Sequence, residues 1–265
     1  MKSNPKILII AGSDPSGGAG IQADLKTATA NKIYAAAAIT CLTAQNTKKV
    51  SAIHNVPIDF LRQQIEVVLD DMKFDAIKIG MLGTAEIIDC VASLLKQKAK
   101  NIPLILDTVM VATSGDLLLK KNAVEALKSK LINDAYIVTP NIDEAEILVK
   151  IKIKTLDDMK EAALKIKALG AKAVLIKGGH LDFSDSRIYS VLLDEKNKFH
   201  IISNKKVAVK NIHGTGCSLA SAIACNIAKK MDLVKAVKNA NQYIYRSVVK
   251  NLKVGGGSRV LQHFS

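Results

Sequence analysis

Short apolar runs and longer amphipathic runs take turns along almost the whole chain. That alternation constrains the fold more than any other feature. "KILIIAG" (6–12), "YAAAAIT" (34–40), "DAIKIG" (75–80), "IPLILD" (102–107), "AYIVTPN" (135–141) and "AKAVLIKGG" (171–179) read as strands. Runs this short and this apolar suit strands buried on both faces. Helical spacing fills the intervals at 19–32, 57–72, 84–99, 117–132, 142–150 and 156–170. Proline sits near the start of the second of these, Thr84 is placed to cap the third, and Gly170 closes the last. "SRIYSVLLDEKN" and "KFHIISNKKV" predict an antiparallel pair turning at Glu195 to Lys198, and two helices follow at roughly 215–230 and 232–252. Strand and helix alternating in this way predict an α/β domain, a central mostly parallel sheet with helices on both faces. No linker, repeat or low-complexity stretch interrupts residues 1–265, so one domain is expected.

Composition narrows the function. Hydrophobic residues make up 49 % of the 265, which excludes a disordered chain. The formal charge is +14, but the lysines are spread thinly, with no dense basic block and no aromatic ladder beside one. A solvated surface that attracts anionic small molecules fits this better than a nucleic-acid partner. Cys41, Cys90, Cys217 and Cys225 fit neither zinc spacing nor CxxC, and read as free thiols of a reducing cytoplasm. The apolar run near the start is short for a signal peptide, and no segment reaches the ~20 apolar residues of a membrane span. A cytoplasmic protein with no membrane partner is expected.

The distinctive polar residues fall at strand ends: Asp14, Asp107, Asn141 and Lys177. In open α/β sheets ligands bind there, beyond the carboxyl ends. Two glycine-rich loops flank these positions. "AGSDPSGGAGIQADLKT" (11–27) follows the first strand and fits neither a P-loop nor GxGxxG. "HGTGCSLASAIA" (213–224) opens a helix. Gly214 and Gly216 permit a tight turn, and the helix start offers free N–H groups and a dipole suited to an anion, so Gly214, Thr215 and Gly216 are candidates to cradle a phosphate. A lone GxG is as often an ordinary turn. Cys217 stands where a helix N-terminus lowers a thiol pKa, which suits a base or a nucleophile. Asp14, Asp24 and Gln45 are compact polar groups suited to a heteroaromatic ring, with capping and turn duty as the plainer reading.

Taken in order, "AGSDPSGGAGIQADLKT", "TAQNT", "KIGMLG", "LDTVMVATSGD", "VTPNIDEAEIL", "LIKGGH" and "HGTGCSLASAIA" resemble the hydroxymethylpyrimidine/phosphomethylpyrimidine kinases of the ribokinase superfamily, over essentially the whole chain. The resemblance implies a ribokinase-like fold with about eight to ten mostly parallel strands. It implies ATP, Mg2+ and two successive phosphorylations of a hydroxymethylpyrimidine in thiamine biosynthesis, with homodimers common. It assigns Asp24, Gln45, Met81, Val109 and Gly12 to the pyrimidine. Gly214, Thr215 and Gly216 match the anion hole, and Cys217 the base. Asn141 and Glu144 match the NxxE that organises magnesium and phosphate. Asp107 and Lys177 match positions near the nucleotide, with Glu144 and Asp107 reaching the metal through water. Ile212 stands where the family often has threonine or asparagine. Pyridoxal kinase is the nearest rival, sharing fold and site, although Gln45 and Met81 favour the pyrimidine. A non-catalytic binder would have no need of Asn141, Glu144, the glycine turn and Cys217 together. A NAD-dependent oxidoreductase would need a glycine fingerprint that is missing.

Overall fold

The computed structural model describes residues 4–110, 121–179, 186–209 and 212–264. Residues 111–116 of the "LDTVMVATSGD" run, the 117–120 start of a predicted helix and His180 of "LIKGGH" lie outside them. The frame is a sheet of nine strands: β1 (Lys6–Ser13), β2 (Tyr34–Gln45), β3 (Val50–Asn55), β4 (Ala76–Ile79), β5 (Leu104–Leu106), β6 (Ile137–Val138), β7 (Val174–Lys177), β8 (Arg187–Leu193) and β9 (Phe199–Lys205). Their order is β3-β2-β1-β4-β5-β6-β7-β8-β9. The block from β2 across to β7 is parallel, and the pairs β2–β3, β7–β8 and β8–β9 are antiparallel. A mostly parallel sheet and an antiparallel pair turning after Leu193 are both as the sequence pattern predicts.

Eight helices cover the sheet among the described residues: α1 (Gly20–Ala30), α2 (Ile58–Asp71), α3 (Ala85–Lys98), α4 (Lys121–Lys130), α5 (Ile142–Val149), α6 (Leu156–Lys167), α7 (Thr215–Ala228) and α8 (Leu233–Val249). Strand side chains alternate between faces, so each strand feeds two cores. Leu8, Ile10, Ile77, Ile79, Leu104 and Leu106 meet α2 to α6. Ile7, Ile9, Ala76, Ile105 and Leu175 meet α1, α7 and α8. Thr84 caps α3 as predicted, accepting from the Ile87 N–H at 3.3 Å. No described helix is long and apolar enough to cross a membrane.

Two features depart from the expected pattern. β2 continues to Gln45 and turns back as β3, although the predicted strand stops at residue 40 and none is predicted between it and the helix at 57. The hairpin forms the sheet's edge and β3 is largely exposed, so its residues carry no apolar run to read. A separate parallel pair, β10 (Ile212–His213) with β11 (Arg259–Val260), is too short to carry any period.

β1 has β2 on one side and β4 on the other, and the chain winds outward in both directions from it. Such a reversal opens a crevice beyond the carboxyl ends of the strands. The chain past β1, β4, β5 and β7 borders that crevice.

Candidate active site

Strand alternation sends three charged side chains to one face. Lys78 shares the parity of Ala76, Asp107 that of Ile105, and Lys177 that of Leu175, so all three point toward the layer of α1 and α7. Lys177 Nζ lies 2.9 Å from Asp107 Oδ1, which also accepts from Thr139 Oγ1 at 3.2 Å. Burial works against the Lys177 ammonium, but Asp107 and Glu144 outweigh it and hold the group protonated beyond the ordinary lysine range.

The "HGTGC" turn sits directly on this pair. A Cβ on Gly216 would stand 3.3 Å from Lys177 Nζ and 3.7 Å from Asp107 Oδ2. Gly214 adopts φ 83°, and a Cβ there would fall 1.8 Å from the Gly18 carbonyl oxygen. Only glycine meets both demands. The two glycine-rich loops therefore interlock, backbone against backbone, at the start of α7. Gly214 is the residue before that helix and offers no side-chain cap, which leaves the first N–H groups of α7 without a partner inside the helix. Ser218, in the same turn, has a buried hydroxyl with no hydrogen-bond partner among the described residues. These donors and the helix dipole suit an anion.

Cys217 lies in this first turn and is half-buried. Burial pushes its thiol up to about 11, against the pull of Lys78. This corrects the expected lowering: the helix terminus does favour a thiolate, but desolvation and the carboxylates of Asp24 and Asp107 outweigh it.

Asp24 also takes a place the sequence did not foresee. It is fully buried, with Oδ2 2.7 Å from Lys78 Nζ and Oδ1 accepting from Ser221 Oγ at 2.8 Å. Both oxygens are engaged beneath α7, so in this structure Asp24 supports the turn and presents no free edge to a ring. Gln45 ends β2 and reaches the turn from the other side. Its Nε2 lies 2.9 Å from His213 Nε2, which lies 3.0 Å from Asp14 Oδ2. Burial raises the Asp14 carboxyl, but bonds from His213, Ser16 and Ala19 outweigh it and hold it below the ordinary carboxylate range. Gly12 and Met81 are brought together: a Cβ on Gly12 would sit 3.6 Å from Met81 Sδ and 2.8 Å from Cys41 Sγ. Val109 follows directly, its N–H bonded to the Asp107 carbonyl at 2.9 Å.

Asn141 and Glu144 form a capping box at the start of α5. Asn141 Oδ1 accepts from the Glu144 N–H at 2.9 Å, and Glu144 Oε2 accepts from the Asn141 N–H at 2.8 Å. Thr108 Oγ1 adds a bond to Glu144 at 3.1 Å. Burial raises the Glu144 carboxyl to about 7, with Lys177 opposing and Asp107 reinforcing. NxxE is thus a helix cap whose carboxylate also answers to the charges of the site.

No group of three or more metal-ligating side chains occurs among the described residues. Magnesium keeps most of its waters and needs only one or two carboxylates beside substrate phosphates. Asp107 and Glu144 fit that requirement: burial raises Glu144 and the Asp107 carboxylate adds to the shift, and a bound cation would offset both.

Lys78 is the functional candidate that sequence reasoning missed. Its signal was present: one lysine inside the otherwise apolar strand "AIKI".

A family model, phosphomethylpyrimidine kinase, matches residues 14–262. The hydroxymethylpyrimidine/phosphomethylpyrimidine kinase of Aquifex aeolicus is 41 % identical over 96 % of this chain and 98 % of its own length. A thiamine biosynthesis bifunctional protein of Geobacter sulfurreducens is 43 % identical over 97 % of this chain. The chain spans about half the length of that protein, 52 %. Among solved structures, phosphomethylpyrimidine kinase from Clostridium difficile 630 is 42 % identical, with a TM-score of 0.81 over 93 % of this chain and all of that one. Pyridoxal kinase from Staphylococcus aureus in complex with AMP-PCP and pyridoxal is 31 % identical, with a TM-score of 0.89 over 99 % of this chain and 94 % of that one. The glycine turn on α7, the lysine–carboxylate pairs beneath it and this breadth of likeness agree: the chain belongs to the phosphomethylpyrimidine kinase family, phosphotransferases of ribokinase-like fold.

Proposed function

We propose that this protein transfers the γ-phosphoryl group of ATP to 4-amino-5-hydroxymethyl-2-methylpyrimidine and then to the resulting monophosphate, in thiamine biosynthesis. The carrying observation is the uncapped glycine turn at the start of α7, placed over Lys177 and Asp107. The names of the full-length relatives supply the substrate.

Phosphoryl transfer asks the protein for position and charge. The free N–H groups of residues 214–217 would hold the equatorial oxygens of the group in flight. Lys177, kept protonated, adds a cation beside them. Asp107 and Glu144 would hold Mg2+, partly through water, and the ion would neutralise charge on the phosphates. Gln45, Met81, Val109 and Gly12 are the groups for the pyrimidine, and Asn141 fixes Glu144. In the first step the hydroxymethyl oxygen bonds to the γ-phosphorus as the bridging oxygen leaves on ADP. Cys217 accepts the hydroxyl proton through its thiolate fraction. In the second step the attacking oxygen is already an anionic phosphate and needs no base.

Pyridoxal is the second reading, since the pyridoxal kinase from Staphylococcus aureus superimposes closely. Mass spectrometry of products decides. With Mg-ATP, sequential mono- and diphosphates of the pyrimidine are expected. A monophosphate from pyridoxal alone would move the protein to vitamin B6 salvage. A homodimer is also expected, testable by light scattering. The cytoplasm suits an ATP-using enzyme whose four cysteines are free.

A further inference from the structure

We propose that Lys78 is a positioning residue of this phosphoryl-transfer site: its buried ammonium is the fixed charge beneath α7 that sets the reactivity of Cys217. The proposal rests on the reading of Cys217 as the group that meets the substrate hydroxyl.

Lys78 and Asp24 are both wholly buried and 2.7 Å apart. A buried ion pair of this kind is weak evidence for stability, because apolar residues of similar volume usually serve a core as well or better. Its place suggests another use. Asp24 Oδ1 accepts from Ser221 Oγ at 2.8 Å, and Ser221 stands four residues after Cys217 on the same side of α7. The pair therefore lies one helical turn below the thiol. The ammonium extends toward the strand ends: a Cβ on Gly80 would sit 2.7 Å from Lys78 Nζ and 2.9 Å from Ala11 Cβ. Glycine at 80 leaves room for the lysine tip.

The charges felt at Cys217 come from four segments. Lys78 on β4 favours the thiolate, while Asp24 on α1 and Asp107 past β5 oppose it. Lys177 on β7 is coupled to the thiol as well. Desolvation lowers the Lys78 pKa, but Asp24, Cys217 and Asp107 outweigh it, so Lys78 stays protonated. Of the two lysines, Lys177 is positioned for phosphate. Lys78, with no exposed surface, acts on a ligand only through the groups above it.

Iodoacetamide alkylation of the full chain tests this without ATP or substrate, with Cys217 followed separately from the three buried cysteines by peptide mass spectrometry. Lys78→Met is expected to raise the pH midpoint of Cys217 alkylation by a unit or more, seen as a drop of about tenfold in rate at a fixed pH below it. Lys78→Arg, which keeps the charge, is expected to recover most of that loss. A folded Lys78→Met protein with the wild-type midpoint would overturn the proposal. Should Lys78→Met fail to fold, the comparison moves to Asp24→Asn against Asp24→Asn/Lys78→Met. A higher midpoint in the double variant supports the proposal, and equal midpoints overturn it. Failure here leaves the kinase reading intact, because that reading stands on product formation.

Discussion

The two faces of the sheet are built from the same strands and do different work. On the face of α2 to α6, alternate residues such as Leu8, Ile10, Ile77, Ile79, Leu104 and Leu106 pack into a continuous apolar layer. On the face of α1, α7 and α8 the strands begin the same way, with Ile7, Ile9, Ala76 and Ile105. Toward their carboxyl ends that second face changes to Lys78, Asp107 and Lys177. A shift of one residue along a strand thus separates packing from chemistry. One face holds the sheet together, while the other spends part of its burial on paired charges that a plain core would omit.

Substitutions at matched depth should sharpen that contrast. Asp24→Ala strands the Lys78 ammonium and is expected to cost about 3–5 kcal/mol in denaturant unfolding. Asp24→Leu/Lys78→Met should recover most of that stability while phosphorylation stays impaired. Ile88→Ala, on the apolar face, should cost about 2–5 kcal/mol yet leave turnover per folded molecule near wild type. Recovered activity in the double variant would erase the distinction between the faces.

Gly214→Ala forces a side chain onto the Gly18 carbonyl and a positive φ onto alanine. Because it displaces several of the N–H groups proposed to hold the phosphoryl oxygens, steady-state assays should show a loss of about a hundredfold or more in both phosphorylations. Retention of activity would mean that the interlocked loops do not form the anion site.

Glu144 gives a pH signature. Its carboxyl is raised in the folded protein to about 7, so the native state holds a proton that the unfolded chain releases at lower pH. Its contribution to stability is therefore greatest below the ordinary glutamate range and is lost as pH rises through 7. Glu144→Gln should flatten that part of a melting-temperature profile between pH 5 and 8. The smallest effect belongs to Thr84→Ala, which should cost about 1 kcal/mol in denaturant unfolding by loss of the α3 cap.

Much of this was legible in the sequence. The helices read true because their apolar spacing faces one of two cores, and Thr84 and the Glu195–Lys198 turn follow from local chemistry. The residues around the site were legible too, since Asp107, Lys177 and the glycine turn fall at strand ends. What escaped depends on three-dimensional environment. β3 is a largely exposed edge strand without an apolar run. Asp24 reads as a polar side chain free for a ligand until Lys78, 54 residues away, is seen to occupy it. Helix position alone implies a lowered Cys217 thiol, whereas burial, which sequence spacing does not carry, raises it.

The most direct test of the account is Cys217→Ala assayed separately on the pyrimidine alcohol and on its monophosphate. A thiol held near 11 is a base only through its thiolate, so in the wild-type protein the ratio of first-step to second-step kcat/KM should climb about tenfold per pH unit between 7 and 9. In Cys217→Ala the first step should fall far more than the second, and the climb should vanish. Equal losses in both steps, with the pH dependence of the ratio intact, would contradict the assignment and leave Cys217 as a part of the anion hole that moves no proton.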